Sequence, residues 1–240
     1  MKNIIVIGCG GIGYHLSVPL VRFLEHSDVP SEIFFVDPDT IERSNTARQF
    51  GPGTIGMGKA SALVKMLEEQ LRPRNVRLHS VPEAFSPKTV KTAKRWYWQT
   101  DADIFVGVDN HPSRLFVQQE ALKLRDVALF IGGNEYHDGQ CQIFMRQGGK
   151  NLTPTIDEVH PEMTSMPGKF PDDPSCMEIV QSQPQLVFAN LLAATSMLCA
   201  WWSLRWRTDA APSVNEVLFD ATGPSMRPMW SKPLTRKEKP

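Results

Sequence analysis

Residues 4–13 run Ile-Ile-Val-Ile-Gly-Cys-Gly-Gly-Ile-Gly, and this stretch decides the fold class. A short apolar run before clustered glycines predicts a buried strand, a tight turn and then a helix. Gly8, Gly10 and Gly13, with Gly11 among them, fit the Gly-x-Gly-x-x-Gly spacing that lets a backbone approach a phosphate at a helix N-terminus. The turn therefore predicts a Rossmann-like unit that binds a nucleotide; a turn needed only for packing is the alternative.

Apolar runs and amphipathic stretches alternate along the rest of the chain, which predicts an α/β fold. We expect a doubly wound, mostly parallel sheet with helices on both faces and a C-terminal antiparallel extension at residues 139–146. The predicted strands cover residues 3–7, 32–36, 76–81, 104–108, 127–131 and 214–219. The predicted helices run from the glycine turn to about residue 26, over 59–71, 86–98 and 112–125, and from two starts at 176 and 184.

A length of 240 residues fits one domain of this class, which we expect to cover residues 1–222. Residues 151–176 are rich in proline and lack periodicity, so they are predicted to form a long crossover loop or a lid. Residues 223–240 are predicted to be a mobile basic tail.

The composition indicates a soluble enzyme rather than a nucleic-acid or membrane protein. The 26 basic residues equal the 26 acidic ones, so nothing suggests binding to nucleic acid. Four cysteines without a C-x-x-C pair, and no signal peptide, favour a reducing, cytoplasmic setting. Residues 186–204 carry no charge and are almost long enough to cross a bilayer, but a buried core or interface helix explains them better.

The segment after the second predicted strand distinguishes between nucleotides. Asp37, at the end of that strand, is correctly placed to bond a ribose hydroxyl of either NAD(P) or ATP. Arg48 offers the planar guanidinium that suits phosphate, and Lys59 opens a helix after a Gly-x-Gly bend. An NAD(P)-dependent oxidoreductase, the first alternative, has no need of these cations, so the segment favours ATP.

Three ordered blocks carry a resemblance to a known family. The segment over residues 37–49 has the pattern Asp-x-Asp-x-Ile-Glu-x-Ser-Asn-x-x-Arg-Gln; it follows Gly-x-Gly-Gly-Ile-Gly and precedes Asp-Asn-x-x-x-Arg at residues 109–114. Together they resemble the signature of the ThiF/MoeB/HesA family, which includes ubiquitin-activating enzymes. The resemblance covers residues 4–114 and is looser beyond, where the chain looks most like the short ThiF proteins of PRTRC-type gene clusters.

The resemblance implies an adenylyltransferase that uses ATP and Mg²⁺. It assigns the ribose to Asp37, the triphosphate to Asn45 and Arg48, charge neutralisation to Lys59, and Mg²⁺ to Asp109. Arg48, Lys59 and Asp109 are therefore the candidate catalytic residues; their alternatives are a surface ion pair, a solvated helix residue and a helix cap. The nucleotide-binding set is completed by Asp39, Gln49, Asn110 and Arg114.

The resemblance also implies partners. The substrate would be the C-terminal carboxylate of a ubiquitin-like (β-grasp) protein or a peptide, and the enzyme would be a homodimer or a heterodimer through residues 186–204. Many relatives hold zinc between two C-x-x-C pairs, which this sequence lacks, so we expect no zinc. A nucleotide-binding, non-catalytic partner subunit is the second alternative.

Cys176 is the fourth candidate catalytic residue. Ser175 and Glu178 form a capping-box pattern that would place Cys176 in the first turn of a helix, where the helix dipole lowers a thiol pKa. A thioester-forming nucleophile and an inert buried cysteine both fit, and we expect the inert state. Cys9, Cys141 and Cys199 are predicted to be packing residues.

Overall fold

A computed structural model describes residues 1–47, 49, 54–92, 98, 101–165, 170, 186–207 and 214–230. Within these ranges, nine strands form one sheet in the order β3-β2-β1-β4-β5-β6-β8-β9, with β7 beside β6. The strands are β1 (Lys2–Ile7), β2 (Ser31–Val36), β3 (Val76–Val81), β4 (Ala102–Val106), β5 (Val127–Asn134), β6 (Asp138–Gln147), β7 (Lys150–Asn151), β8 (Val214–Asp220) and β9 (Ser225–Trp230).

The strand directions confirm the predicted fold class. Strands β1 to β5 are mutually parallel, and β6 to β9 add to β5 in antiparallel pairs. Because β1 lies between β2 and β4, the chain reverses its winding at β1, and a crevice opens there at the carboxyl ends of the strands. This crevice is where ligands bind in sheets of this type.

Helices cover both faces of the sheet, as predicted. They are α1 (Gly11–His26), α2 (Lys59–Leu71), α3 (Pro87–Thr92), α4 (His111–Ala121), α5 (Ile156–Val159) and α6 (Val187–Arg205). One hydrophobic core lies under α1, α2 and α6, and a second lies under α4 and α5 on the opposite face. The two cores bury β1 and β4 on both sides, which is why those strands are almost continuously apolar.

Helix α6 is anchored to the sheet through one buried carboxylate. By length and composition alone this helix is apolar enough to cross a membrane. In the structure it packs against α1, β5 and β6. Asp103 in β4 is 1% exposed and accepts hydrogen bonds from Trp201 Nε1 at 2.8 Å and Arg205 Nε at 2.6 Å. This packing agrees with the prediction of a core helix for residues 186–204.

Two predictions about irregular segments need correction. Residues 151–165 are not a structureless loop, because Thr155 and Glu158 form a capping box that starts α5, and a 3₁₀ helix follows at Pro161–Thr164. Residues 225–230 are not a mobile tail, because β9 pairs with β8 at the edge of the sheet, a place where a strand tolerates a proline such as Pro228. Residues 171–176 and 231–240 lie outside the described part, so a lid and a shorter tail stay predictions.

Candidate nucleotide site

A cavity of about 330 Å³ lies at the carboxyl ends of β1, β2 and β4. Most of the residues predicted to bind nucleotide line it, although they come from segments far apart in the sequence. These are Gly8, Gly10, Gly11, Asp37, Asp39, Asn45, Gln49, Lys59, Asp109, Asn110 and Arg114. Gly13 lies in the first turn of α1 without lining the cavity, and Arg48 and Cys176 fall outside the described residues.

The glycines of the turn have different roles. Gly8 has φ of +90°, and a Cβ there would lie 2.9 Å from the carbonyl carbon of Gly107. A Cβ on Gly13 would lie 2.0 Å from the carbonyl oxygen of Gly8, so both glycines allow α1 to pack tightly on β1 and β4. A Cβ on Gly10 would meet no atom of the described residues within 4 Å. Gly10 therefore keeps open space in the cavity, whereas Gly8 and Gly13 close the turn.

The N-terminus of α1 opens into this space. Its N-cap, Gly10, has extended backbone and no side-chain cap. The first N–H groups of a helix have no partner inside the helix, and they carry the positive end of its dipole. This end of α1 is thus suited to an anion such as a phosphate.

The carboxylate of Asp37 joins the turn to the end of β2. It is 5% exposed and accepts hydrogen bonds from the backbone N–H groups of Cys9, at 2.6 Å, and Asp39, at 2.8 Å. Burial raises the pKa of Asp37, and the nearby Lys59 ammonium offsets part of that rise. Each oxygen keeps a second lone pair, which is what a ribose hydroxyl needs.

Lys59 is held as a cation inside the cavity. Its side chain is 13% exposed, and Nζ lies 2.8 Å from Asp39 Oδ2. Burial alone would lower the pKa of Lys59, but the carboxylates of Asp37 and Asp39 outweigh burial and raise it. The backbone also fixes this pair, because Lys59 N–H donates to the carbonyl of Asp39 and Thr40 bridges to Gly58. Lys59 is therefore not a solvated helix residue.

Arg114 is a second cation that lines the cavity, and it is buried. It is 8% exposed, and its guanidinium donates to the carbonyls of Val108, at 3.0 Å, and Gly132, at 3.4 Å. No carboxylate forms an ion pair with it within the described residues. Burial lowers its pKa, while Asp109 and Glu135 act in the opposite direction. An arginine stays protonated in proteins, so this charge is available to an anion.

At the start of α4, Asn110 caps the helix and the neighbouring Asp109 faces the cavity. Asn110 is the N-cap, and its Oδ1 accepts a hydrogen bond from Ser113 N–H at 2.9 Å. Asp109 therefore does not cap the helix, and its exposed carboxylate lines the cavity. A carboxylate placed beside a phosphate site is a suitable ligand for Mg²⁺.

The polar segment after β2 closes the third side. Asn45 is 8% exposed, and its Oδ1 accepts from the N–H of Glu42 at 2.9 Å within a short 3₁₀ helix at Arg43–Ala47. Gln49 also lines the cavity, and its Oε1 is buried without a hydrogen-bond partner in the described part of the chain.

A sequence model of the ThiF family matches residues 1–240, the whole of the chain. The chain belongs to the ThiF family. No curated protein matches it. Solved structures share its fold at low sequence identity. The structure of E. coli MccB with ATP is 16% identical and has a TM-score of 0.64. That match covers 97% of the present chain and 64% of the MccB chain. PaaA is 15% identical with a TM-score of 0.65 and covers 96% of this chain and 64% of its own. The chain thus spans slightly less than two thirds of the length of these structures.

The cavity of this ThiF-family chain also includes residues that sequence analysis did not assign to the site. Asn190 lies in α6, Asn134 lies at the end of β5, and Phe85 lies in the segment after β3. Sequence spacing does not reveal such contacts, because they depend on how distant elements pack. For Asn190 one signal existed: a single buried amide in a helix whose other inward-facing residues are almost all small or apolar.

Proposed function

We propose that this chain catalyses ATP-dependent adenylation of the C-terminal carboxylate of a ubiquitin-like protein or peptide, with release of pyrophosphate. One observation carries the proposal. Two cations, the partly buried Lys59 and the buried Arg114, and the carboxylate of Asp109 lie around the N-terminus of α1 in one cavity. A triphosphate needs such a set of cations and a metal ligand, and a nicotinamide cofactor does not.

The cavity fits a nucleotide at its other end as well. Asp37 offers acceptor lone pairs at the position of a ribose hydroxyl in related sheets. The open space beside Gly10 would receive a phosphate against the helix N-terminus. These features support ATP as substrate.

Mg²⁺ fits the residues on the rim. Proteins commonly bind this ion through one or two carboxylates together with substrate phosphates, so Asp109 alone is a sufficient protein ligand. When bound, Mg²⁺ would supply charge neutralisation on the phosphates. Asp109 would hold it, since its carboxylate is exposed and is not used as a helix cap.

The reaction requires positioning and positive charge more than proton transfer. An oxygen of the acceptor carboxylate would attack the α-phosphorus, and the bond to the bridging oxygen would break, giving an acyl-adenylate and pyrophosphate. The nucleophile is already anionic, so no general base is needed. Lys59 and Arg114, with Arg48 by family resemblance, would reduce the repulsion between two anions and stabilise the departing pyrophosphate.

The acceptor is proposed from the family rather than from the cavity. Structures of E. coli MccB include one with ATP and one with AMPCPP and selenomethionyl MccA, so a chain of this fold accommodates a nucleotide and a second molecule. We extend this to a ubiquitin-like protein or peptide for the present chain. A dimer and a cytoplasmic location belong to the same proposal.

Calorimetry with Mg-ATP and with NAD tests the nucleotide. We expect ATP to bind and NAD not to bind, and the reverse result would identify an oxidoreductase. Pyrophosphate exchange tests the reaction, with a ubiquitin-like protein ending in glycine and the same protein without its last glycine as control. ATP binding without exchange for any acceptor carboxylate would identify a non-catalytic subunit instead.

A further inference from the structure

Asn190 is a buried amide whose Nδ2 has no hydrogen-bond partner among the described residues. It lies in the first turn of α6, is 1% exposed and lines the nucleotide cavity. Its Nδ2 forms no hydrogen bond within the described part of the chain. A buried donor left unpaired lowers the stability of the fold by about 1–3 kcal/mol. Such a donor beside a cavity therefore indicates that a ligand supplies the missing acceptor.

The position of this amide indicates which kind of ligand would supply the missing acceptor. A Cβ on Gly11 would lie 2.7 Å from both Cγ and Nδ2 of Asn190. The amide therefore rests on the first residue of α1, at the helix end that favours anions. A side chain at position 11 would have to displace the Asn190 amide, because that amide occupies the space of a Cβ on Gly11.

The surrounding charges favour a phosphoryl group over a neutral ligand. Lys59 and Arg114 line the same cavity, and Lys59 is the cation already paired with a carboxylate. An amide adds a donor without adding charge, so leaving it unpaired in an empty cavity costs less than leaving a charged side chain unpaired there.

We propose that Asn190 binds substrate by donating a hydrogen bond from Nδ2 to the phosphoryl group held at the N-terminus of α1. This inference rests on the proposed function, because it takes ATP as the ligand. It adds a residue from α6 to a site that is formed mainly by the motif blocks at residues 4–114.

The test measures dissociation constants by calorimetry for adenosine, AMP, ADP and ATP with Mg²⁺. We expect Asn190→Ala to weaken phosphorylated ligands about tenfold to a hundredfold, as expected for a hydrogen bond to a charged group, and to leave adenosine unchanged. The first ligand in the series that is weakened identifies the phosphate involved. Asn190→Asp, which keeps the shape of the side chain, should weaken those ligands further through charge repulsion.

Ser196→Ala is the matched control. Ser196 is a second buried polar residue of α6, and its hydroxyl is satisfied by the carbonyl of Leu192 at 2.8 Å. It does not line the cavity. We expect this variant to bind all four ligands like wild type.

A structural role for Asn190 would give a different pattern. In Asn190→Ala it would weaken adenosine as much as ATP, and that result would overturn the inference. Wild-type affinity for ATP in both Asn190 variants would also overturn it while leaving the proposed function intact. If wild type bound none of the four ligands, the proposed function itself would be wrong.

Discussion

Lys59 Nζ lies 2.8 Å from Asp39 Oδ2, so the cation at the start of α2 is paired before any ligand arrives. Asp39 is the more exposed partner, with 57% of its side chain accessible against 13% for Lys59. The carboxylate can therefore turn to solvent at little cost when a phosphate takes its place. The pair keeps the ammonium in position without a second buried charge.

Lys59→Ala tests this pairing. We expect pyrophosphate exchange to fall about a hundredfold to a thousandfold, because a transition-state charge contact contributes about 2.7–4 kcal/mol. The fold should survive, since the partner in the ion pair is exposed, although the pKa of the buried Asp37 should rise further without the Lys59 charge. Lys65→Ala is the control: Lys65 lies on the same helix, 3.9 Å from Glu69, with an exposed side chain. Near-normal exchange in Lys59→Ala would remove this residue from the mechanism.

Gly10→Ala and Gly13→Ala should separate binding from packing. A Cβ on Gly13 would be 2.0 Å from a backbone oxygen, so we expect the free energy of unfolding to fall by about 3 kcal/mol. Gly10 has free space, so Gly10→Ala should fold with a loss under about 1 kcal/mol, yet bind ATP at least tenfold more weakly. Urea unfolding and calorimetry give the two readouts. Equal effects of both substitutions on stability would contradict the division of roles.

The sequence predicted where the N-terminal residues of the cavity lie because its signals there are local. The glycine turn, Asp37 and the start of α2 at Lys59 lie within or next to the elements that they position, so pattern and structure agree. The distinction between Asp109 and Asn110 was less clear, because either side chain can cap a helix and only the geometry shows that Asn110 does.

The C-terminal half could not be predicted to the same depth. Strand β9 is held by pairing with β8, and its proline-containing sequence gives no periodic signal by itself. Asn190 enters the site only because α6 packs on α1, a contact between residues far apart in the chain. Non-local packing of this kind leaves no fixed spacing to recognise.

Asp103→Asn should destabilise the fold through α6. The substitution removes a 1%-exposed carboxylate from Trp201 and Arg205, and breaking a buried pair on one side costs about 3 kcal/mol. Asp101→Asn is the matched control, because Asp101 pairs with the same Arg205 but has a 73%-exposed side chain. We expect this exposed pair to contribute under about 1 kcal/mol. Equal losses on urea unfolding would show that Asp103 is not the anchor.

The outer face of α6 should mediate assembly. Phe188, Leu191 and Trp202 are exposed on a helix with no charge before its last turn. We expect the wild-type protein to be dimeric at micromolar concentration by light scattering, and Leu191→Glu to be monomeric because a buried charge without a partner opposes association. Ile55→Glu, at an exposed apolar residue outside α6, should stay dimeric. A monomeric wild type would refute this interface.

Cys176→Ser should retain pyrophosphate exchange. Burial raises the pKa of the Cys9 and Cys141 thiols, and Asp37 raises that of Cys9 further. Among the described cysteines only Cys199 is exposed. The assay is a non-reducing gel with ATP and the acceptor protein, with Cys199→Ser as control. We expect no band that dithiothreitol removes. Such a band in wild type and Cys199→Ser, lost in Cys176→Ser, would instead identify a thioester-forming enzyme.

Helix α6 presents Asn190 to the cavity while Phe188 and Leu191, on the same turn, face outwards. A partner on the outer face would therefore lie about one helix diameter from the cavity. If both contacts shift α6 in the same direction, thermodynamic linkage requires each to strengthen the other by the same factor. The measured ATP affinity would then depend on protein concentration, and the dimerisation constant would depend on ATP to an equal degree. A single helix would make the assembly of the protein and the occupancy of its site one coupled equilibrium.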